Sequence, residues 1–519
     1  MNFKNYLKII NAKYEFERLV VAIIASFVAG LAIVVGLMAV GVTLFAAILI
    51  SILFVLFGVI ILTNILPTEL IGINKQKPWL SIVWLLTALA VVIQINRLSI
   101  FMINPSLTKY SILPNNKWLV EHCCLTAYSE SARLTSDNEK NIYDQHHYLG
   151  KTDNYSSIVM YPTRQIENFN VDLYHYPPQF LLLPLMGQAV TGGDFLHLRM
   201  LWFAMSVLSL LTAIGFIISR LEPKGRMRMI GMAPLLWVSM PVLVGIQMSN
   251  VQIIVISVSI IAMSLFPINK SISSLFLAMT TVAKIFPGIL IVYLVAQKKF
   301  RKVLLIAGFA ILLSIATLIV VGPNPFQAFI EYEMPKLSSG EAFLRPFSKG
   351  FAIARNMAPF GIPLKLGWLG LPGMTLEIGR IVSSIYLLMV LILAIWSGKQ
   401  KPRSNSEMVS VWISLICLAS LVSPFAPASY VLVSVVLLVC LNYEFFRPWA
   451  AVVIWLFISL PFLMSQDAPF IIQALCYLPS QVIAIGVPGF ILYRAGLKTK
   501  QKSSKLINTL IVPQLGANK

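Results

Sequence analysis

Apolar runs of about 20 residues recur along almost the whole of this 519-residue chain. Each is long enough to cross roughly 30 Å of hydrocarbon as a helix. That recurrence constrains the fold more than any motif does. Backbone polar groups in lipid must be satisfied internally, and barrel strands would alternate polar and apolar residues over segments of about 10. The chain is therefore expected to be an all-α, polytopic integral membrane protein. Its mean hydropathy of +0.82 and its 12% charged residues agree. The net charge of +20 does not point to nucleic acid. The Lys and Arg sit mainly in short loops flanking the spans, which is positive-inside patterning. The first apolar run is too long for a cleavable signal and lacks a clear small-residue cleavage site. The five cysteines show neither metal spacing nor a disulfide framework.

The basic loops orient the spans. Lys4, Lys8, Lys13 and Arg18 place the start of the chain in the cytoplasm, and spans near 18–40 and 43–65 form a hairpin. Lys75 and Lys77 mark the return, and a third span at about 79–97 leads outward. Residues 178–191 are apolar but too few to cross, so they are expected to lie at the interface or re-enter. Spans follow near 197–219, 229–247 and 250–267. The run 272–297 has basic residues at both ends, Lys270 before it and Lys298, Lys299, Arg301 and Lys302 after it. Two half-helices broken at Ala283-Lys284-Ile285-Phe286-Pro287-Gly288 satisfy the charge rule. A span at 302–321 precedes a second outer loop, about 322–375. The chain then re-enters at about 376–396, meets Lys399, Lys401 and Arg403, and continues through spans near 408–422, 428–442, 448–464 and 469–492. About 12 to 14 crossings are expected. The resulting division is an N-terminal hairpin (1–78), a core (79–400) with outer loops at about 98–196 and 322–375, and C-terminal helices with a basic cytoplasmic tail (401–519).

The titratable groups collect in one polar stretch, Leu98 to Pro178. It holds four of the five histidines and eight of the twenty acids. In a mostly apolar chain, that loop is where chemistry is expected.

Several motifs occur in order. The first outer loop contains Leu125-Thr126-Ala127-Tyr128-Ser129-Glu130-Ser131-Ala132-Arg133 and then Asn141-Ile142-Tyr143-Asp144. Next come Tyr176-Pro177-Pro178-Gln179-Phe180, a hairpin turn from Gln247 to Gln252, and Ala283-Lys284-Ile285-Phe286-Pro287 ahead of a basic loop. Together they resemble the bacterial family 87 glycosyltransferases of the GT-C superfamily, over about 80–400. The first two spans look like an addition before the common core. The resemblance implies transfer from a polyprenyl-phosphate-sugar donor to a glycolipid or glycan acceptor. It places the active site at the extracytoplasmic face of a bacterial plasma membrane. It also implies an inverting, metal-independent reaction without a cofactor. The sequence departs from the family in one place. Where a D-x-x-V-Y-type segment carries the expected catalytic aspartate, the chain reads Val120-Glu121-His122-Cys123-Cys124-Leu125-Thr126-Ala127-Tyr128, with Glu121 or His122 nearest.

Such a transfer needs a carboxylate to accept the acceptor's proton and cations to hold the departing lipid phosphate. Asp172 and Glu121 compete as the base. For Asp172 the other readings are a sugar-hydroxyl contact or a turn cap, and for Glu121 a solvated acid. Glu130 is a further candidate for the base or for a substrate contact, although Arg133 at i+3 suggests an intrahelical pair instead. His146 and His147 diverge if helical and read as acceptor or phosphate contacts or as polar surface. His175 is placed to touch donor phosphate or to be a satisfied interfacial histidine. His122 and Tyr176 are further substrate-contact candidates, although the two prolines after Tyr176 read mainly as architecture. Asn250 either satisfies its turn or meets sugar. Lys284, at membrane depth, and Arg345, Lys349 and Arg355, outside against the charge trend, are phosphate-binding candidates. Glu331 and Glu333 are a weak metal pair, and no metal site is expected. The rival readings are a transporter or flippase for a lipid-linked sugar, built on the broken helix and its lysine, or an inactive GT-C scaffold.

Overall fold

A computed structural model describes residues 13–66, 78–149, 164–400, 402, 404–442 and 448–511. The basic marks at Lys4, Lys8, Lys75, Lys77, Lys401 and Arg403 lie outside the described residues. The described chain is almost wholly helical, with one two-stranded hairpin, β1 (Gln165–Ile166) and β2 (Phe169–Asn170), in the first polar loop.

Helices α1 (Lys13–Ala39) and α2 (Leu44–Ile65) form the expected N-terminal hairpin. Small residues let them approach closely. A Cβ at Gly30 would lie 2.5 Å from Val55 Cγ2, and the Ser51 hydroxyl donates to the Gly30 carbonyl at 2.9 Å. Helix α3 (Pro78–Ile103) runs past its expected end at 97, because Ser99-Ile100-Phe101-Met102-Ile103 continues the apolar helix. Arg97 folds back to the Lys109 and Ser111 carbonyls.

The first polar loop carries α4 (Lys117–Glu121) and α5 (Leu125–Ser136) and ends at α6 (Leu182–Val190). A 3₁₀ turn at Pro178–Leu181 leads into α6. The nine-residue α6 is too short to span a bilayer, as expected. Helix α7 (Phe195–Arg220) follows, with α1 packed along it.

One expectation is corrected here. The run 229–247 is not a single straight span but two helices, α8 (Pro223–Trp237) and α9 (Met240–Gln247), bent by 57°. Ser239 is extended at the joint, and Pro241 occupies the first turn of α9, where its missing N–H does no harm.

The expected break in the next run is present. Helix α10 (Gln252–Leu265) precedes α11 (Lys270–Ala283). Lys284 is then extended, a 3₁₀ turn covers Phe286–Gly288, and α12 (Ile289–Ala296) resumes.

Helix α13 (Phe300–Val321) leads to the second polar loop, built from α14 (Asn324–Ala328), α15 (Met334–Ser339), α16 (Leu344–Phe347), α17 (Gly350–Arg355) and α18 (Gly361–Trp368). The chain closes with α19 (Leu376–Lys399), α20 (Asn405–Ser420), α21 (Ala428–Asn442), α22 (Pro448–Ser459) and α23 (Phe470–Ile511).

Among the described residues, seven helices are long and apolar enough to cross a membrane, or eight if the bent pair is one span. Six shorter apolar helices account for the remaining expected segments. The short α10 and α21 are almost entirely buried, whereas only 11% of α2 and of α13 is covered by protein. A helix buried all round is enclosed by other helices; one bare along its length presents its apolar side chains to lipid.

Candidate active site

The first polar loop is held by an aromatic cluster. The Tyr128 and Tyr176 hydroxyls meet at 2.8 Å, Tyr143 donates to the Tyr176 carbonyl at 2.9 Å, and Phe180 packs its ring against both Tyr128 and Tyr176. Tyr176-Pro177-Pro178 is thus tied into the architecture. Gln179 donates to Ser314 of α13 at 3.0 Å, fixing the start of the α6 segment. Gln247 bridges from the hairpin turn, accepting from Ile112 N–H at 2.7 Å and donating to the Leu119 carbonyl at 2.8 Å.

Asp172 is brought to its place by backbone pairing. His122 and Asn170 form an isolated parallel bridge, and Thr126 receives the Asp172 N–H at 3.0 Å. Two segments 50 residues apart are thereby laid side by side. His122 Nδ1 lies 3.4 Å from Asp172 Oδ1. The imidazole stacks on Trp118, one helical turn earlier, with centroids 4.4 Å apart and planes at 17°. Its other nitrogen, Nε2, lies 3.6 Å from Cys124 Sγ, which is 3.0 Å from the Tyr430 hydroxyl of α21.

Cations from the second polar loop face this pair. Arg345 and Lys349 act electrostatically on Asp172, and Lys349 and Arg355 on His122. Arg355 also lies 5.4 Å over the Trp118 ring. Arg345 Nη1 and Arg355 Nε are buried without a hydrogen-bond partner among the described residues. A buried guanidinium N–H with no acceptor is an open demand for one. Burial raises the Asp172 carboxyl above its ordinary value, with His122, His175, Arg345 and Lys349 opposing but not cancelling it. The group lies deep in the fold yet keeps 33% of its side chain open, so it is crowded and still reachable. Burial lowers His122; Lys349 and Arg355 add to this, and Asp172 opposes them.

His175 reaches across to the second loop. Its Nδ1 meets Glu333 Oε1 at 2.7 Å, and Glu333 is buried. Glu331 instead receives the amide of Gln327, so the two glutamates diverge. Deeper in the protein, Lys284 Nζ donates to Gln252 Oε1 at 2.7 Å and stands 5.2 Å from the Tyr176 ring and 5.3 Å from that of Tyr430. Asn250 accepts from Gln252 N–H at 2.8 Å, closing its turn, and its side chain also contacts Cys124 and Tyr176.

The remaining candidates have partners elsewhere. Glu121 pairs with Lys117 at 3.7 Å. Glu130 is buried and holds Arg133 and Arg164, each at 2.7 Å. Burial would raise its carboxyl, but those two guanidiniums outweigh it and leave it below its ordinary value. Asp144 caps the turn bearing the two histidines by accepting from His146 N–H, and His147 Nε2 lies 3.8 Å from Glu139.

Donor atoms of His122, Cys124 and Asp172 lie within 4.8 Å of one another, a spacing that could hold a metal ion. Lys349, Arg355 and Arg345 act on the same groups and oppose a cation there. The sequence reading missed Trp118, Cys124, Tyr430 and the Glu333 partnership with His175. The i, i+4 spacing of Trp118 and His122 was a usable signal; nothing local connects Cys124 to Tyr430.

The structure is a polytopic helical bundle of an integral membrane protein, with carboxylate, imidazole and cationic side chains gathered between two polar loops. A model of glycosyltransferase family 87 matches residues 174–424. The chain therefore carries a family 87 region, which indicates a membrane glycosyltransferase. The match includes His175, Tyr176, Asn250, Lys284, Arg345, Lys349 and Arg355, while Asp172 and His122 precede it. No curated protein and no solved structure matches the chain.

Proposed function

We propose that the protein transfers a sugar from a polyprenyl-phosphate donor to a glycolipid or glycan acceptor, at the extracytoplasmic face of a bacterial plasma membrane, with Asp172 as general base. The observation that carries this reading is the open carboxylate of Asp172 facing Arg345 and Lys349, with unpartnered N–H groups on Arg345 and Arg355. Asp172 takes the acceptor hydroxyl proton as that oxygen bonds to the anomeric carbon. The bond from that carbon to the phosphate oxygen breaks, and the lipid phosphate leaves with the electron pair. Arg345, Lys349 and Arg355 stabilise the departing charge. Attack opposite the leaving group inverts the anomeric centre, and no step calls on a metal. Lys284, which donates to the Gln252 amide and stands over the rings of Tyr176 and Tyr430, is a second cation for the anionic end of a substrate.

The departure from the family pattern supports the same choice. Counted back from Tyr128, the first position of a D-x-x-V-Y segment falls on Cys124. The Asp172 carboxylate lies within 4.8 Å of the Cys124 sulfur, so a carboxylate from another segment stands beside that position. Glu121 has turned to Lys117.

Separate Asp172→Asn and Glu121→Gln variants test the base, using a panel of short-chain polyprenyl-phosphate-hexoses with membranes that contain the protein. Asp172→Asn should lower turnover by roughly 10²–10⁴-fold, and Glu121→Gln should leave it nearly unchanged. Normal turnover by Asp172→Asn would remove Asp172 from the mechanism.

A further inference from the structure

We infer that His122 is a positioning residue for Asp172, carrying its ring proton on Nδ1 and held in that tautomer by a directed chain through Cys124 and Tyr430. The inference rests on Asp172 being the base.

The ring is fixed in its plane. Trp118 stacks on it at 4.4 Å, and the backbone of His122 is bridged to Asn170, two residues from Asp172. Its two nitrogens then face chemically different groups. Nδ1 faces a carboxylate oxygen at 3.4 Å, which can only accept when ionised. Nε2 faces a sulfur at 3.6 Å. One assignment of protons satisfies every neighbour. Tyr430 O–H donates to Cys124 Sγ, Cys124 S–H donates to Nε2, and Nδ1–H points at Asp172 Oδ1. The opposite tautomer sets the Nδ1 lone pair against the carboxylate and turns Nε2–H onto sulfur, a weak acceptor. In a histidine, the partner of one nitrogen decides which nitrogen carries the proton.

The charged surroundings agree. Lys349 and Arg355 from the second loop face the ring and disfavour a second proton, whereas Asp172 favours one. On its own segment, Glu121 is engaged with Lys117. Burial and the Asp172 charge raise the Cys124 thiol, which keeps its S–H available as the donor. Trp118 and Tyr430 are neutral neighbours, as is Asn250, whose side chain contacts Cys124 and leaves the direction of the chain unchanged. With Nδ1–H on Oδ1, the second oxygen of Asp172 is left for the acceptor hydroxyl. The 3.4 Å separation is long for a hydrogen bond, as contacts of catalytic groups often are before substrate binds.

The carboxamide nitrogen of Asn falls near the Nδ1 position, and that of Gln near Nε2. His122→Asn therefore keeps a donor toward Asp172, His122→Gln moves it toward Cys124, and His122→Phe keeps only the stack on Trp118. With the polyprenyl-phosphate-hexose panel, His122→Asn should stay within about fivefold of the parent in kcat, while His122→Gln and His122→Phe fall by about twentyfold or more at unchanged donor KM. In those two variants the acid limb of kcat/KM should move upward, because the carboxylate, still faced by His175, Arg345 and Lys349, has lost a donor that favoured its ionised form. Equal activity in the Asn and Gln variants, or an unmoved acid limb, overturns the inference.

A second measurement needs no turnover. In ¹⁵N-histidine spectra of the full chain in lipid nanodiscs, the resonance missing from His122→Phe is that of His122. It should report a neutral ring protonated at Nδ1 between about pH 6 and 8, and Cys124→Ala should mix the tautomers. A ring protonated at Nε2, or at both nitrogens, overturns the inference whatever the activity shows. If Asp172→Asn retains activity, the base reading fails and the inference falls with it. If Asp172→Asn is inactive and the His122 results are the overturning ones, the inference alone fails.

Discussion

Asp172, the proposed base, would trade stability for reactivity. Burial raises it above the ordinary value of 3.8, so the folded protein holds that proton more tightly than the unfolded chain does. The sign then follows from linkage. The side chain's contribution to stability is fully present below the unfolded value and is lost as pH rises through the folded one. Above the folded value the parent carries the whole penalty. Asp172→Asn should therefore unfold at a higher temperature than the parent at pH 7, and the gap should close as pH falls toward 4. A lower unfolding temperature at pH 7 would show that the cations of the second loop outweigh burial. With Asp172 as the base, the acid limb of the parent's kcat/KM should lie above the usual aspartate range. Asp172 and His122 were each legible as candidates in the sequence. Their pairing was not, because it depends on a backbone bridge between His122 and Asn170. Cys124 and Tyr430, 306 positions apart, were beyond any local pattern. The Glu130 pair with Arg133 was legible, since i+3 spacing is local; its second partner, Arg164, required the folded loop.

At the scale of elements, the apolar runs and the break at Lys284 were legible because length, charge placement and Pro287-Gly288 all pointed the same way. The bend between α8 and α9 was not, because Pro241 sits in an unbroken apolar run and a first-turn proline leaves no mark on periodicity. The N-terminal hairpin relies on close approach. A Cβ at Gly30 meets Val55 at 2.5 Å and the Ser51 hydroxyl at 2.9 Å. Gly30→Leu should destabilise the protein by about 1–3 kcal/mol or more, read as a lower unfolding temperature in detergent. Val55→Ala in the same chain should restore part of the loss, since it removes the atoms that collide. An unchanged unfolding temperature for Gly30→Leu would mean that α1 and α2 separate without consequence for the rest.

For the whole molecule, the orientation is an expectation from charge placement, and the candidate site lies between the two polar loops. If those loops face outward, Lys140→Cys in a chain with Cys476→Ser should react with an impermeant thiol reagent from outside the cell. Lys299→Cys should react only after the membrane is opened. Both positions are exposed, and the four other native cysteines are buried. Labelling of Lys140→Cys only from the cytoplasmic side would invert the topology and move the chemistry to the other face. The family 87 region covers most of the cationic groups but begins just after Asp172. The proposed base and its histidine thus lie outside the matched region. The central claim is sugar transfer rather than passage of a lipid-linked sugar. It is tested most directly by sealed vesicles containing the protein, loaded with a polyprenyl-phosphate-hexose and an acceptor lipid extract, with all products followed by mass spectrometry. The account predicts free polyprenyl phosphate and an acceptor heavier by one hexose, both absent with Asp172→Asn. Intact donor appearing in the opposite leaflet, with no polyprenyl phosphate released, would contradict it.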